Sequence, residues 1–400
     1  MNVLRKIWCR TFQTGMNIVL PLMPYREPKL LEGVKAIPAC LKERGVDKCI
    51  LVTDKGIRGL GLTTPLEEHL REMGIECAVF DETVANPTIA NVEAARKMYI
   101  ENGCKAIIAF GGGSSMDCAK GLGARIACPN LTLQKMKGIM KVRKKLPLLI
   151  AVPTTAGTGS ETTVSAVITD GDTHFKYAIN SFPLIPEFAC LEPEVTLGLP
   201  GSLTSTTGMD AMTHSVEAFI GHATTIKTRA AAIESVRLIF ENLEKAYANG
   251  QDREARAKML RASYLAGVAF TRSYVGYVHA VAHSLGGQYG IPHGLANAVL
   301  LPHVLEMYGP TAYKKLAELA KATRLVSGDT DTKEAAEAFI AKIKQMNANM
   351  NIPTTLKGIK EEDISMMAAH ADKEGNPLYP VPVLWDRKEL ERVYRAVMEK

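Results

Sequence analysis

Three histidines lie close together in a chain that contains few of them. His279, His283 and His293 fall within fifteen positions, although the 400 residues include only nine histidines. His279 and His283 are four residues apart, so a helix would place both imidazoles on one face, one turn apart. An upstream segment has the same spacing, with Asp210 four residues before His214. One carboxylate and two or three imidazoles are suitable ligands for a divalent metal ion.

The residues between His283 and His293 predict how the chain brings His293 close to the other two histidines. Gly286, Gly287 and Gly290 predict that the helix ends, and Pro292 predicts a loop that brings His293 back. A single histidine pair at this spacing is more often part of an ordinary amphipathic helix. Two matching segments favour a metal site.

Two glycine-rich segments each follow a short apolar run. The first, Phe110–Asp117, reads F-G-G-G-S-S-M-D, and the second, Val152–Glu161, reads V-P-T-T-A-G-T-G-S-E. Glycines allow a diphosphate to approach the backbone, and a following helix offers free N–H groups. The usual G-x-G-x-x-G fingerprint is absent. Because parallel strands end at one edge of their sheet, both loops are expected to lie side by side there, as a nucleotide site. A tight turn without a ligand is the alternative for each loop taken alone.

An acidic residue ends the first clear strand. Asp54 follows Val52 by two positions. Its carboxylate could accept hydrogen bonds from an adenosine ribose and repel a 2′-phosphate, which favours NAD over NADP. An Asx turn or a helix N-cap explains the same residue equally well.

The chain divides into a half with strands and a half without them. Apolar runs separated by segments of helical length predict an α/β fold with a parallel sheet; the predicted strands are Lys48–Val52, Glu76–Phe80, Lys105–Phe110 and Leu146–Val152. Beyond the proline- and glycine-rich segment 183–200 the strand pattern stops, and long helical patterns include Met209–Ile220, Ile226–Ala248 and Arg253–Ser273. We therefore predict an α/β domain over residues 1–199 and an all-α domain over residues 200–400.

Composition narrows the partners and the compartment. A net charge of +6 without a basic stripe and aromatic platforms does not predict nucleic-acid binding. Six basic residues between Lys135 and Lys145 predict a solvated loop or a surface that attracts an anionic cofactor or substrate. No long uncharged apolar run occurs, so no membrane span is expected. Eight cysteines without a C-x-x-C pair predict reduced thiols. The first twelve residues are basic, as in a mitochondrial presequence, but the prediction is a cytoplasmic protein.

Four motifs, taken together, resemble the iron-containing (group III) alcohol dehydrogenases. They lie at Gly111–Asp117, Pro153–Glu161, Gly208–Glu217 and His279–Ala298, and the similarity extends over about residues 48–385. The resemblance implies a Rossmann-like N-terminal domain that binds a dinucleotide, a helical metal-binding catalytic domain, and an active site in the cleft between them. It implies a metal-dependent alcohol dehydrogenase or aldehyde reductase, with NAD preferred to NADP. Fe(II) is the expected metal and Zn(II) the alternative.

The resemblance also assigns roles to individual residues. It implies that the metal ligands are Asp210, His214, His279 and His293, and that His283 is a catalytic residue off the metal that relays a proton or positions the substrate. It implies that the dinucleotide is contacted by Asp54, Asn86, Gly112, Gly113, Ser114, Asp117, Thr154, Thr155 and Lys176. A homodimer or higher homo-oligomer is implied too. However, residues 18–30 contain prolines and lack the glycine turn with which family members open, at an edge that often helps form the dimer.

Several functions are compatible with this fold. Small alcohols and diols, with their aldehydes, are the expected substrates. A hydroxy acid or another anionic alcohol is the first alternative, since the chain is mildly basic. A lyase of the dehydroquinate synthase type or a non-catalytic assembly protein is disfavoured, because the ligand set is complete.

Overall fold

The chain forms two compact units. A computed structural model describes residues 1–171 and 176–399. One unit is Pro24–Gly198, and the other joins Met1–Met23 to the chain from Leu199 onwards. The sequence instead placed residues 1–23 with the α/β half. They form helix α1 (Val3–Val19) and a 3₁₀ turn (Leu20–Leu22). Polar side chains of α1 hydrogen-bond residues near the C-terminus, which explains the difference.

The unit Pro24–Gly198 is built on a parallel sheet. Its six strands lie in the order β1-β9-β6-β4-β2-β3, and a smaller sheet has the order β5-β8-β7. The strands are β1 (Lys29–Leu31), β2 (Lys48–Val52), β3 (Glu76–Phe80), β4 (Ala106–Gly111), β5 (Gly138–Ile139), β6 (Leu148–Pro153), β7 (Ser165–Thr169), β8 (Lys176–Asn180) and β9 (Phe188–Cys190). The helices are α2 (Ala36–Lys42), α3 (Lys55–Gly59), α4 (Thr64–Glu72), α5 (Ile89–Glu101), α6 (Gly113–Ala127) and α7 (Leu133–Met136), with 3₁₀ turns at Ser160–Thr162, Phe182–Leu184 and Pro193–Thr196.

The large sheet is buried on both faces. In β2, Ile50 and Val52 belong to the apolar cluster on one face, while Cys49 and Leu51 belong to the cluster on the other. Successive side chains of a strand point to opposite faces, so a strand covered on both sides must be apolar throughout. This is why the four longest sheet strands were recognisable in the sequence. The strands β1, β9 and β5 were missed because two or three residues leave little pattern. The five-residue strands β7 and β8 were missed because only alternate positions in them are buried, so neither is a continuous apolar run.

The other unit is helical from Leu199 onwards. Its helices are α8 (Gly201–Ile220), α9 (Ile226–Ala248), α10 (Arg253–Ser273), α11 (Tyr277–Tyr289), α12 (His293–Tyr308), α13 (Pro310–Ala322), α14 (Thr332–Asn349), α15 (Glu361–Gly375) and α16 (Arg387–Val397). The bounds of α9 and α10 are those predicted, whereas α8 begins eight residues earlier than predicted. None of the described helices is long and apolar enough to cross a membrane.

Two predicted features near the histidines are corrected. Gly286 and Gly287 do not end α11, which runs through them to Tyr289 and stops at Gly290, a left-handed C-cap with φ 68°. A glycine inside a helix costs only about 1 kcal/mol relative to alanine, which neighbouring buried contacts can offset. His293 lies on the first turn of α12, not in a loop.

The cysteines are placed as expected for reduced thiols, and the basic run is placed as expected for a solvated loop. All eight cysteines are unpaired, and six are buried, while Cys77 and Cys128 are half-buried. The six basic residues between Lys135 and Lys145 are exposed, on α7 and the segment around β5.

Candidate metal and nucleotide sites

One face of α8 presents three buried polar side chains. Asp210, His214 and Glu217 are 2%, 5% and 3% exposed. Their spacing of four and then three residues stacks them on successive turns. Fully buried acids and imidazoles are rare unless they have partners, so this face must be completed by other elements.

Helices α11 and α12 complete it. His279 comes from α11 and His293 from the start of α12. The ligand atoms of Asp210, His214, His279 and His293 all lie within 4.8 Å of one another. Asp210 Oδ1 lies 3.9 Å from His279 Nε2 and 3.4 Å from His293 Nε2. The structure thus brings the four predicted metal ligands together on three helices.

The side chain of Asn297 tests whether a cation fits among these groups. Its Nδ2 lies 2.6 Å from Asp210 Oδ1, 3.2 Å from His279 Nε2 and 3.0 Å from His293 Nε2. An amide nitrogen carries two hydrogens and cannot satisfy three acceptors. Acceptor atoms therefore outnumber the available donors, as expected where a metal ion completes the site. Three imidazoles and one carboxylate suit Fe(II) or Zn(II) and leave a coordination position for a substrate oxygen.

The imidazoles are held in the form that binds metals. Burial lowers the pKa of His279 well below its usual value, and the neighbouring histidines add to the shift. Desolvation likewise lowers the pKa of His293 to about 4, although Asp210 opposes the shift. Both rings are therefore neutral near pH 7, with a lone pair to donate.

A buried carboxylate orients His279 from behind. Glu217 Oε2 lies 2.6 Å from His279 Nδ1, which directs that nitrogen's proton to the carboxylate and leaves Nε2 for the metal. The same carboxylate accepts the backbone N–H groups of Gly276 and Val278, each at 2.8 Å. Burial raises the pKa of Glu217 to about 7, and these N–H donors oppose the shift. Glu217 on α8 thus holds the first turn of α11, which carries His279.

This arrangement needs a glycine at the start of α11. A Cβ atom at Gly276 would lie 2.6 Å from Glu217 Oε1, closer than real Cβ contacts allow. Any side chain there would displace the carboxylate from the backbone N–H groups.

His283 has a separate set of partners. Its Nδ1 lies 2.6 Å from Glu374 Oε1, which also accepts the hydroxyl of Tyr379 at 2.7 Å. Its ring stacks on His293 at a centroid distance of 5.1 Å, and its side chain is 45% exposed. His283 therefore lies beside the four-residue group, on the exposed side, with a carboxylate holding its ring.

In the α/β unit, the two glycine-rich loops pack against each other at the carboxyl ends of β4 and β6. Thr154 N donates to the carbonyl of Gly111 at 3.1 Å. A Cβ at Gly112 would contact the Thr155 side chain at 3.4 Å. Gly112 caps the N-terminus of α6, and Gly113 is the first residue of that helix. The expected juxtaposition of the loops is thus present, with free N–H groups at the start of α6.

Gly111 permits the turn between strand and helix. Its φ of 153° is unfavourable for a side chain, and a Cβ would lie 2.4 Å from Ser115 Oγ.

The structure places four other predicted dinucleotide contacts, which are Ser114, Asn86, Asp54 and Lys176. Ser114 Oγ accepts the backbone N–H of Asn86, which has a φ of 57°. Asp54 is the N-cap of α3, where its Oδ1 accepts the N–H of Ile57 at 2.9 Å. Lys176 begins β8 and is exposed. Asp54 therefore caps a helix in this structure, and its hydrogen bond to a ribose stays a prediction.

A fully buried lysine supports the second loop from inside. Lys120 Nζ lies within 3.2 Å of five oxygens, which are carbonyl or hydroxyl atoms of Ser160, Thr163 and Ser165. Asp117, predicted to contact the dinucleotide, lies with its Oδ1 3.4 Å from Ser160 Oγ. Burial raises the pKa of Asp117 and lowers that of Lys120, while the two charges favour each other. Asp117 therefore contacts the second loop, and its contact with the dinucleotide stays a prediction.

The sequence prediction missed three residues that contact the predicted metal ligands or His283. Glu217 and Asn297 lie within recognised motifs, and helical spacing could have found them: Glu217 is seven residues after Asp210, and Asn297 is four after His293. Glu374 is 91 residues from His283, and no local pattern points to it.

A four-ligand metal site on helices, in a chain that also carries an α/β unit with paired glycine loops, defines a metal-dependent dehydrogenase architecture. Residues 31–193 match the family "Iron-containing alcohol dehydrogenase", and residues 204–398 match "Fe-containing alcohol dehydrogenase family, C-terminal". The chain belongs to the iron-containing alcohol dehydrogenase family.

Named relatives and a solved structure agree with this membership. The chain is 41% identical over 355 residues to 1,3-propanediol dehydrogenase of Citrobacter freundii, covering 88% of this chain and 91% of that protein. It is 36% identical over 341 residues to NAD-dependent methanol dehydrogenase of Bacillus methanolicus, covering 85% and 89%. The crystal structure of a 1,3-propanediol oxidoreductase superposes with a TM-score of 0.88 at 38% identity, covering 93% and 98%.

Proposed function

We propose that the protein is an NAD-dependent dehydrogenase that interconverts short primary alcohols or diols and their aldehydes. The observation that carries the proposal is the group Asp210, His214, His279 and His293, whose ligand atoms converge within 4.8 Å. The relatives named for propanediol and methanol support a small alcohol as substrate, and the methanol enzyme supports NAD. When bound, the metal lowers the pKa of the alcohol hydroxyl and NAD accepts the hydride.

The chain's own residues have three tasks in this proposal. The four ligands hold a divalent ion, Fe(II) or Zn(II), and Glu217 and Asn297 orient them. His283 accepts the alcohol proton at Nε2, since Glu374 fixes its Nδ1 side. The glycine loops at Gly111–Ser115 and Thr154–Thr158 receive the dinucleotide phosphates, and Asn86, Asp117 and Lys176 are further dinucleotide contacts.

Cofactor choice and compartment follow from single features. A carboxylate at Asp54 disfavours the 2′-phosphate of NADP by charge repulsion. The eight unpaired cysteines support a cytoplasmic site of action, where thiols stay reduced.

A substrate panel tests the proposal. Metal-reconstituted protein is assayed at the NADH absorbance, with NAD and NADP in parallel, against primary alcohols, diols and hydroxy acids. Net NADH production with a simple alcohol is expected. A hydroxy acid used in preference to every neutral alcohol would contradict the substrate class. A chain that binds metal and NAD but produces no net NADH would contradict the reaction type.

A further inference from the structure

Helix α1 is attached to its own unit through its polar side. Arg5 donates two hydrogen bonds to Asp372 at 2.9 and 2.8 Å. Arg10 donates to the carbonyls of Val381 and Pro382 at 2.8 and 2.9 Å. Gln13, which is 3% exposed, donates to the carbonyl of Tyr379 at 2.7 Å. These contacts along the length of the helix fix its orientation.

The opposite side of α1 and its following turn is apolar and faces solvent. Seven side chains on it are between 45% and 81% exposed: Val3, Leu4, Ile7, Trp8, Ile18, Val19 and Leu22. Helical spacing puts Thr11, Thr14 and Gly15 between them and no charged residue among them. A surface helix normally buries its apolar side and exposes its charges. Here the two sides are exchanged, and a contiguous exposed apolar surface of this kind marks an interaction site.

Along one line of this apolar face the order of residues is nearly the same in both directions; the line is Val3, Ile7, Thr11, Thr14, Ile18 and Leu22. Bulky residues occupy both ends, and the small residues Thr11, Thr14 and Gly15 occupy the middle. Ile7 lies as far before the middle as Ile18 lies after it, and Val3 corresponds in the same way to Leu22. A face with this symmetry is complementary to itself when a second copy runs antiparallel to it, as an isologous contact requires.

The sizes of the side chains suit two crossing helices. Small residues at a crossing point let the helix axes approach, and the axes diverge on either side of it. Larger side chains towards both ends then fill the widening space. A Cβ at Gly15 would contact nothing within 4 Å, so the middle of the face is open to a partner.

A lipid surface suits this face less well than a second copy does. Interfacial helices bind membranes with free Lys and Arg on the polar side and bulky apolar residues along the whole apolar side. Here Arg5 and Arg10 are bound to Asp372 and to backbone carbonyls, which leaves Lys6 as the exposed cation of the helix, and small residues occupy the middle of the apolar side. We propose that the apolar face of α1 is a homodimer contact in which two copies of the helix pack antiparallel about a two-fold axis between Thr11 and Thr14.

Sedimentation velocity on the full, metal-loaded chain tests the contact. Wild type is expected to sediment as a dimer, and Ile7→Asp and Ile18→Lys are each expected to sediment as monomers. Aspartate near the N-terminus and lysine near the C-terminus both suit the helix dipole, so α1 should remain helical. Ile226→Asp is the matched control, because this residue is 91% exposed on α9; it should remain dimeric. Circular dichroism and alcohol oxidation should be unchanged in all three variants.

The double variant Ile7→Asp/Ile18→Lys tests the antiparallel orientation. In an antiparallel pair, position 7 of one copy lies opposite position 18 of the other, so the opposite charges attract. The double variant should be more dimeric than either single variant, and added salt should reduce that gain. A monomeric wild type, with or without binding to phosphatidylserine vesicles, would overturn the proposal. So would single variants that stay dimeric, and a double variant without recovery would overturn the antiparallel register.

Discussion

The substitution Glu217→Gln tests whether Glu217 orients His279 or only fills space in the core. Glutamine has nearly the shape of glutamate but replaces one acceptor oxygen by an NH₂ group. In one orientation that NH₂ faces the N–H of Val278, and a buried hydrogen bond is lost, at a cost of about 1–3 kcal/mol in stability. In the other the NH₂ replaces Oε2, so the N–H of Gly276 loses its acceptor. The NH₂ then also faces His279 Nδ1 and moves the ring proton to Nε2, the atom that lies nearer Asp210.

The expected result is a weaker metal site in a folded protein. Changing a group that orients a metal ligand typically reduces metal affinity 10–100-fold, or about 1.4–2.7 kcal/mol. The dissociation constant for Co²⁺ is measured by competition with a chelator, and the visible absorption of the Co²⁺-loaded protein reports the ligand geometry. Both should change in Glu217→Gln.

Glu161→Gln is the matched control. Glu161 is also a buried glutamate, with 1% exposure, but it lies in the α/β unit. Its substitution should leave the Co²⁺ affinity and spectrum unchanged. If Glu217→Gln lowers the melting temperature but binds Co²⁺ with wild-type affinity and an unchanged spectrum, then Glu217 only stabilises the fold and the assigned role is wrong.

Four further outcomes are expected. His279→Ala should lose bound metal and activity while its circular dichroism stays native; elemental analysis at full occupancy would contradict the ligand assignment. His283→Ala should keep its metal but lose turnover by about 10²–10⁴-fold, and Glu374→Gln should follow it with a smaller loss; metal lost from His283→Ala would make it a ligand. Asp54→Gly should narrow the preference for NAD over NADP while costing only about a few tenths of a kcal/mol, since glycine is tolerated at N-caps; a wild type that prefers NADPH would refute this. Burial raises the pKa of Glu161 to about 7. The folded state therefore holds this proton more tightly than the unfolded state, and stability is lost as pH rises from about 4.3 through 7; Glu161→Gln should flatten that part of the melting-temperature profile.

What the sequence could predict depended on whether the determining contacts were local. The strands β2 and β3 and the helices α9 and α10 have their predicted bounds, because long apolar patterns at a regular period define them. Spacing alone indicated one carboxylate and two or three imidazoles as metal ligands, and the family resemblance selected Asp210, His214, His279 and His293. The first two lie on α8, and the other two lie on α11 and α12. The helical spacing that joins Asp210 to His214 also extends to Glu217, although the sequence prediction did not include Glu217.

Other features depend on contacts that no local pattern records. The partnership of His283 with Glu374 joins α11 to α15, and a short sequence window contains only one of these residues. Residues 1–23 were assigned by position to the neighbouring unit. Their true attachment depends on Arg5 and Arg10 meeting residues more than 360 positions away. The continuation of α11 through Gly286 and Gly287 likewise reflects tertiary packing that outweighs the low helix propensity of glycine.

The oxygens around Lys120 order a segment of the second glycine-rich loop of the α/β unit. An ammonium group has three hydrogens, yet five oxygens lie within 3.2 Å of it, so it acts much as a permanently resident cation would. It gathers the chain from Ser160 to Ser165 around one buried point before any dinucleotide arrives. A binding loop that is already ordered loses little conformational entropy when its ligand enters. Because Lys120 already orders this loop, ligand binding does not have to offset the entropy cost of ordering it.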